Sequence, residues 1–119
     1  MNRTWILLAA VLAAGCGMPS GATLPDEAPS IEGTIQQSSA IQGGRRILVE
    51  ASPQVAGREP AASITVLPGV DVLAGSGETV VRASADELVV GARVRVWFTG
   101  PVAESFPVQA TAGTVLILR

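Results

Sequence analysis

The chain predicts an all-β domain, on three observations. After residue 30 every apolar run is short. The runs are rich in Val, Ile and Leu alternating with polar residues, and Gly or Pro bounds most of them. Against this stands a single helical signal, the capping pattern Ser84-Ala85-Asp86-Glu87.

Each element follows in order. Ile31, Gly33 and Ile35 alternate with Glu32, Thr34 and Gln36, which makes a first strand. Gly43-Gly44 turns the chain into a second, Arg45-Arg46-Ile47-Leu48-Val49-Glu50. Residues 51–60, with Pro53, Gly57 and Pro60, read as a loop. Residues 62–67 form a third strand, stopped by Pro68-Gly69. Gly75-Ser76-Gly77 reads as a hairpin turn, and residues 78–82 as a further short strand.

Ser84 as N-cap with Glu87 three residues on, then Leu88-Val89-Val90-Gly91, gives one helical turn ending near Gly91; a plain turn is the alternative. Residues 92–98 are the cleanest strand, with Val94, Val96 and Phe98 on one face and Arg93, Arg95 and Trp97 on the other. Gly100-Pro101 bends the chain. Residues 109–118 supply the last strand, and Val115-Leu116-Ile117-Leu118 predicts cover on both faces.

The order strand, strand, strand, short helix, strand, strand matches the five-stranded OB-fold, whose helix lies between its third and fourth strands. The expected fold is a small five- to six-stranded OB-fold-like barrel with one short helical turn between strands 3 and 4. A six- or seven-stranded sandwich is its structural rival.

Ahead of this domain, Asn2 and Arg3 precede an unbroken apolar run from Trp5 to Leu12, ending in Ala13-Ala14-Gly15-Cys16. A positive charge, ten apolar residues and small residues at the end are the parts of a secretory leader. The run is too short to span a bilayer, which takes about 20 apolar residues. The chain's one cysteine sits at the cleavage point, and the stretch resembles the lipobox of bacterial lipoproteins. That resemblance implies cleavage before Cys16 and lipid on its thiol. It places Ala13 where leucine is usual, while Gly15 matches; Gly17 lacks the aspartate linked with inner-membrane retention. Acyl chains contribute about 0.8 kcal/mol per buried CH₂, so a diacylated cysteine would anchor firmly.

The expected organisation is a signal peptide at residues 1–15, a lipid anchor and flexible tether at 16–30, and the barrel at 31–119. The tether contains three prolines and no apolar periodicity; free along its whole length it would reach about 45–50 Å. The localisation expected is export, with a lipid hold on the periplasmic or extracytoplasmic face of the bacterial membrane.

Composition narrows the function. Cutting before Cys16 leaves ten acidic residues and seven arginines, a net charge of −3, with no lysine and no histidine. A weakly acidic chain lacking a basic cluster is a poor partner for nucleic acid. With Cys16 committed to lipid there is no disulfide, so the core alone must hold about 90 residues together. Without histidine or lysine, Ser105 has no base to make it a nucleophile. Zinc loses its usual ligands, and Asp26-Glu27 and Asp86-Glu87 are too sparse for calcium. Gly75-Ser76-Gly77 is too short for a phosphate loop and lacks its lysine. No metal or other cofactor is expected.

Residues 88–100, LVVGARVRVWFTG, and 102–112, VAESFPVQATA, together resemble the YobA-like family of small exported bacterial proteins of unknown function. The resemblance extends upstream through Ile31-Glu32-Gly33-Thr34-Ile35, Ile47-Leu48-Val49-Glu50 and Ser63-Ile64-Thr65-Val66. It implies an OB-fold-like domain and often a lipoprotein, and it brings no activity. The family commonly has tyrosine where this chain has Phe106, so a hydroxyl is missing there.

Two groups of residues are candidates for binding. Glu104, Ser105 and Gln109 lie close together beside Phe106 and form either a recognition surface or a turn lock, with Glu104 or Ser105 accepting backbone N–H groups. Arg93, Arg95 and Trp97, with Arg45 and Arg46 as candidates for the same face, form either an anion- or glycan-binding surface or a solvated face whose arginine stems cover Trp97.

The function expected from all this is a non-enzymatic, membrane-anchored module binding an envelope protein or glycan. An accessory subunit associating through an exposed edge of residues 114–118 is the second reading. A hydrolase pairing Glu104 with Asp71 or Asp86 is the third.

Overall fold

A computed structural model describes residues 23–52, 60–76 and 78–119. The leader, Cys16, most of the loop at 51–60 and Gly77 lie outside the described residues. Seven strands follow one another: β1 (Ile31–Ile41), β2 (Gly44–Ala51), β3 (Ala61–Val66), β4 (Asp71–Gly75), β5 (Val80–Arg82), β6 (Arg93–Ala103) and β7 (Val108–Leu118). One 3₁₀ turn, Ala85–Glu87, lies between β5 and β6.

Five of the strands close a ring. β1 pairs antiparallel with β2 and β6, β2 with β3, and β6 with β7, while β3 and β7 run parallel and shut the barrel. This is the OB-fold-like order expected. The two additional strands are a hairpin, β4–β5, inserted between β3 and the 3₁₀ turn. β4 continues the parallel seam, so that β3 lies against Ala62↔Val108 to Thr65↔Thr111 and β4 against Asp71↔Thr114 to Gly75↔Leu118.

The alternation read from the sequence fills the barrel. Ile31, Ile35, Val49, Ile64, Val94, Val96 and Val115 are all fully buried, and no polar residue is among the buried ones described. Each such aliphatic side chain contributes about 1.5–3 kcal/mol of burial. Val72 and Ala74 of β4 join the same core. A bulge between Ile35 and Gln37 turns β1, placing Ser38 toward the barrel end and Ser39 outward beside Arg46.

The 3₁₀ turn closes that end. Leu88, just beyond it, is fully buried in the core. The Ser38 hydroxyl donates to the Leu88 carbonyl at 2.6 Å, and Arg45 reaches Ser38 Oγ at 3.3 Å and Asp86 at 4.0 Å. The capping box is present: the Asp86 N–H donates to Ser84 Oγ at 3.2 Å and the Ser84 N–H to Glu87 at 3.0 Å. Arg119 also donates to the Glu87 carboxylate.

The Ser84 N–H and then Arg119 hold the Glu87 carboxyl below its ordinary 4.5. A lowered folded-state value means that Glu87 stabilises the fold above about pH 4.5, and that this contribution is lost as pH falls further. Melting curves of wild type and Glu87→Gln should therefore differ at pH 7 and converge toward pH 3. A gap that stays constant across that range would show that Glu87 acts through packing and not charge.

Two expectations change. Residues 114–118 are not an exposed edge, because β6 pairs along one side of them and β4 along the other. Their apolar character on both faces reflects an interior strand. Nor is the segment expected as tether free up to residue 30. The Ser30 N–H donates to Val96 O at 2.8 Å, the Phe98 N–H to Ser30 Oγ at 3.0 Å, and the Trp97 indole to Glu27 O at 2.8 Å. Leu24 packs on a small outer cluster of Leu73, Trp97 and Leu116. Residues 24–30 thus form a strap along β6.

Candidate functional site

Strand β6 carries three of the six candidates, Arg93, Arg95 and Trp97, and its length separates the arginines from the other three. Arg93 and Arg95 project outward near its start, where both meet Glu32 of β1. Arg95 Nε lies 3.0 Å from Glu32 Oε1, and Arg93 Nη2 lies 3.5 Å from Oε2. The register makes this contact, because Glu32 stands directly opposite Arg95. One carboxylate between two guanidiniums neutralises much of the positive face that an anion would need.

Trp97 lies on the same side and is nonetheless buried, at 6% exposure. Leu24 of the strap and the neighbouring Leu73 and Leu116 pack against it. Glu104, Ser105 and Gln109 sit at the far end of the strand pair, where Ala103 opposes Gln109. About 25 Å of strand separates them from Arg95. The two candidate groups therefore do not share a cleft.

At that far end, residues 104–107 join β6 to β7 through a cis Phe106–Pro107 bond. The Ser105 N–H donates to Ala103 O at 3.0 Å, and its hydroxyl donates to Pro107 O at 2.8 Å. Ser105 does lock the turn, but as a donor to a carbonyl and not as an acceptor of N–H groups. Glu104 and Gln109 are exposed, and Phe106 stands 80% exposed at the tip.

The carboxylates imagined as a catalytic pair are distributed over different elements. Asp71 forms an ion pair with Arg82 at 3.1 Å, and Asp86 lies beside Arg45 at the barrel end. Asp71 lies beside Thr114, so about 15 Å of β7 separates it from the neighbourhood of Glu104. Among the described residues no group of three acidic, cysteine or histidine side chains gathers around a point that could hold a metal.

A feature that the linear pattern concealed lies on the outside of β2 and β3. Arg45 and Arg46 part company: Arg45, in line with buried Ile47 and Val49, turns into the barrel end, and Arg46 faces out. Across the barrel surface Ser39 neighbours Arg46, Arg46 neighbours Thr65, Thr65 neighbours Thr111, and Thr111 neighbours Thr99. One lateral row of hydroxyls with a guanidinium in it therefore crosses all five barrel strands. Alternation alone could have marked each residue as outward. Only the register aligns them.

Fold and surface together define a closed β-barrel of OB-like order, with an apolar interior and its polar chemistry on the outside. Residues 72–119 match the family model described as "Protein of unknown function (DUF3221)". No curated protein matches the chain, and no solved structure matches it. The matched stretch runs from β4 to the C-terminus and takes in the 3₁₀ turn, β6 and β7.

Proposed function

We propose that this protein is an exported lipoprotein, held to the bacterial membrane by lipid on Cys16, whose barrel serves as a non-enzymatic binding module of the cell envelope. The observation that carries the reading is the leader at residues 5–16, which ends in the chain's one cysteine. The resemblance to YobA-like proteins supports it, since residues 88–112, which carry that resemblance most distinctively, lie inside the matched stretch of unknown function.

A binding role fits the chemistry of the domain. The chain has no histidine or lysine to serve as general base. The barrel interior is filled by aliphatic side chains, which leaves recognition to the outer surface. That surface has polar strand faces and an exposed aromatic tip at Phe106.

The experiment is fractionation and intact mass of the protein expressed in a bacterial host. Wild type is expected in the membrane fraction at the mass of a chain beginning at Cys16 with added acyl groups. The Cys16→Ser variant is expected in the soluble fraction or as uncleaved precursor. Soluble wild type of unmodified mass would end the lipoprotein reading.

A further inference from the structure

Six arginines lie among the described residues, and five of them face carboxylates: Arg45 with Asp86, Arg82 with Asp71, Arg93 and Arg95 with Glu32, and Arg119 with Glu87. Among those six, Arg46 alone has no carboxylate of the described residues within ion-pair distance. Its one side-chain hydrogen bond among the described residues goes to Thr65 Oγ1, at 3.4 Å and exposed to solvent. Its lateral neighbours Ser39, Thr65, Thr111 and Thr99 are all hydroxyls, and the row spans about 19 Å of barrel surface.

This arrangement has a definite chemistry. A guanidinium offers a planar fork of donors that matches a carboxylate. Hydroxyls both donate and accept, so a line of them suits partners that are themselves polyhydroxylated. One exposed cation in a neutral polar row matches a ligand that sets each carboxylate among ring hydroxyls. Nucleic acid is a poor match, because its affinity comes from neutralising many phosphates with many cations. An acidic peptide offers carboxylates and one amide donor and acceptor per residue, but not the closely spaced hydroxyls of a sugar ring.

We propose that the β2–β3 face around Arg46 binds an acidic glycan, its carboxylate on the Arg46 guanidinium and its ring hydroxyls along Thr65, Thr111 and Gln109. Gln109 lies in the adjoining row, beside Ser63. The assignment rests on the binding-module reading above and gives it a ligand class.

The test is a titration of the detergent-solubilised full chain with three probes: tetragalacturonate, neutral maltotetraose and tetraglutamate. Backbone amide shifts and calorimetry are the readouts. Tetragalacturonate is expected to bind saturably, more weakly as salt rises, and to shift the amides of Arg46, Thr65 and Thr111. Arg46→Gln is expected to weaken binding at least about tenfold, the value of a charge-assisted hydrogen bond. Arg46→Lys should keep part of it, and Thr65→Val should lose several-fold. Arg93→Gln, at the face already occupied by Glu32, should change it less than twofold.

Equal binding of maltotetraose would overturn the role of charge. Equal or tighter binding of tetraglutamate would make the occupant a peptide; the glycan assignment would fall while the binding module stood. Tetragalacturonate binding that Arg46→Gln leaves unchanged, or no saturable shift on this face with any probe, would overturn the site. Arg46 is exposed, so a melting curve matching wild type is expected for its variants and separates loss of binding from loss of fold. The Cys16→Ser fractionation reads the anchor independently of all these outcomes.

Discussion

Replacing Gly33 with alanine should lower the stability of the domain by about 3 kcal/mol, a loss of the order of 15 °C in melting temperature for a chain of this size. Gly33 lies where β1 serves two neighbours at once, opposite Ala51 of β2 and Val94 of β6. A Cβ there would stand 1.9 Å from the Glu50 carbonyl oxygen, 2.6 Å from its carbon and 2.8 Å from the Ala51 Cα. All three are backbone atoms, so no side chain can swing aside, and the strand pair itself must part. Gly69→Ala is the control. Its φ is +91° and nothing lies within 4 Å of the added Cβ, so only the backbone strain of about 1–2 kcal/mol applies. Thermal melts followed by circular dichroism measure both. A Gly33→Ala variant as stable as Gly69→Ala would mean that β1 does not approach β2 this closely.

Trp97→Ala should be comparably damaging, at about 3–5 kcal/mol for a buried tryptophan. Its ring holds together Leu73, Leu116 and Leu24, and its indole N–H fixes the strap through Glu27 O. The milder Trp97→Phe separates these roles. It keeps much of the packing and gives up the hydrogen bond, about 1 kcal/mol. In that variant, amide exchange in residues 24–30 should accelerate while exchange in β7 stays slow. Uniform acceleration would show that the strap and the barrel open as one unit. Trp5 and Trp97 are the chain's two tryptophans, so in a Trp5→Phe background a Leu24→Ser variant should red-shift the Trp97 emission.

Much of the barrel was legible because its strands obey one rule. In β1, β2, β3 and the start of β6, apolar residues alternate with polar ones, and the structure buries the apolar set. Ser84 and Glu87 likewise declared the 3₁₀ turn through a local hydrogen-bond pattern. Strand β4 escaped because Val72-Leu73-Ala74 does not alternate. It is covered on both faces, by the barrel core on one and the outer cluster on the other. Residues 114–118 have the same two-sided character, and their length announced a strand but not its neighbours.

The candidate site was less legible, for a physical reason. Arg93, Arg95 and Trp97 share a face by period, but what lies on that face comes from elsewhere in the chain: Glu32 from β1 and Leu24 from a segment rich in proline. The row through Arg46 depends on four registers, none of which a single strand encodes.

The strap has a directional consequence for a protein lipidated at Cys16. Its pinning at Leu24 leaves only eight residue steps of chain from the lipid, a leash of at most about 28 Å. Its point of attachment is the outer side of β6, β7 and β4. In a five-membered ring ordered β1, β2, β3, β7 and β6, the position across from β6 is the seam of β2 and β3. The molecule would ride close to the bilayer like a moored float, with its keel at Trp97 and its deck at Arg46. Ligands would then meet it from the side of the envelope and not from the lipid.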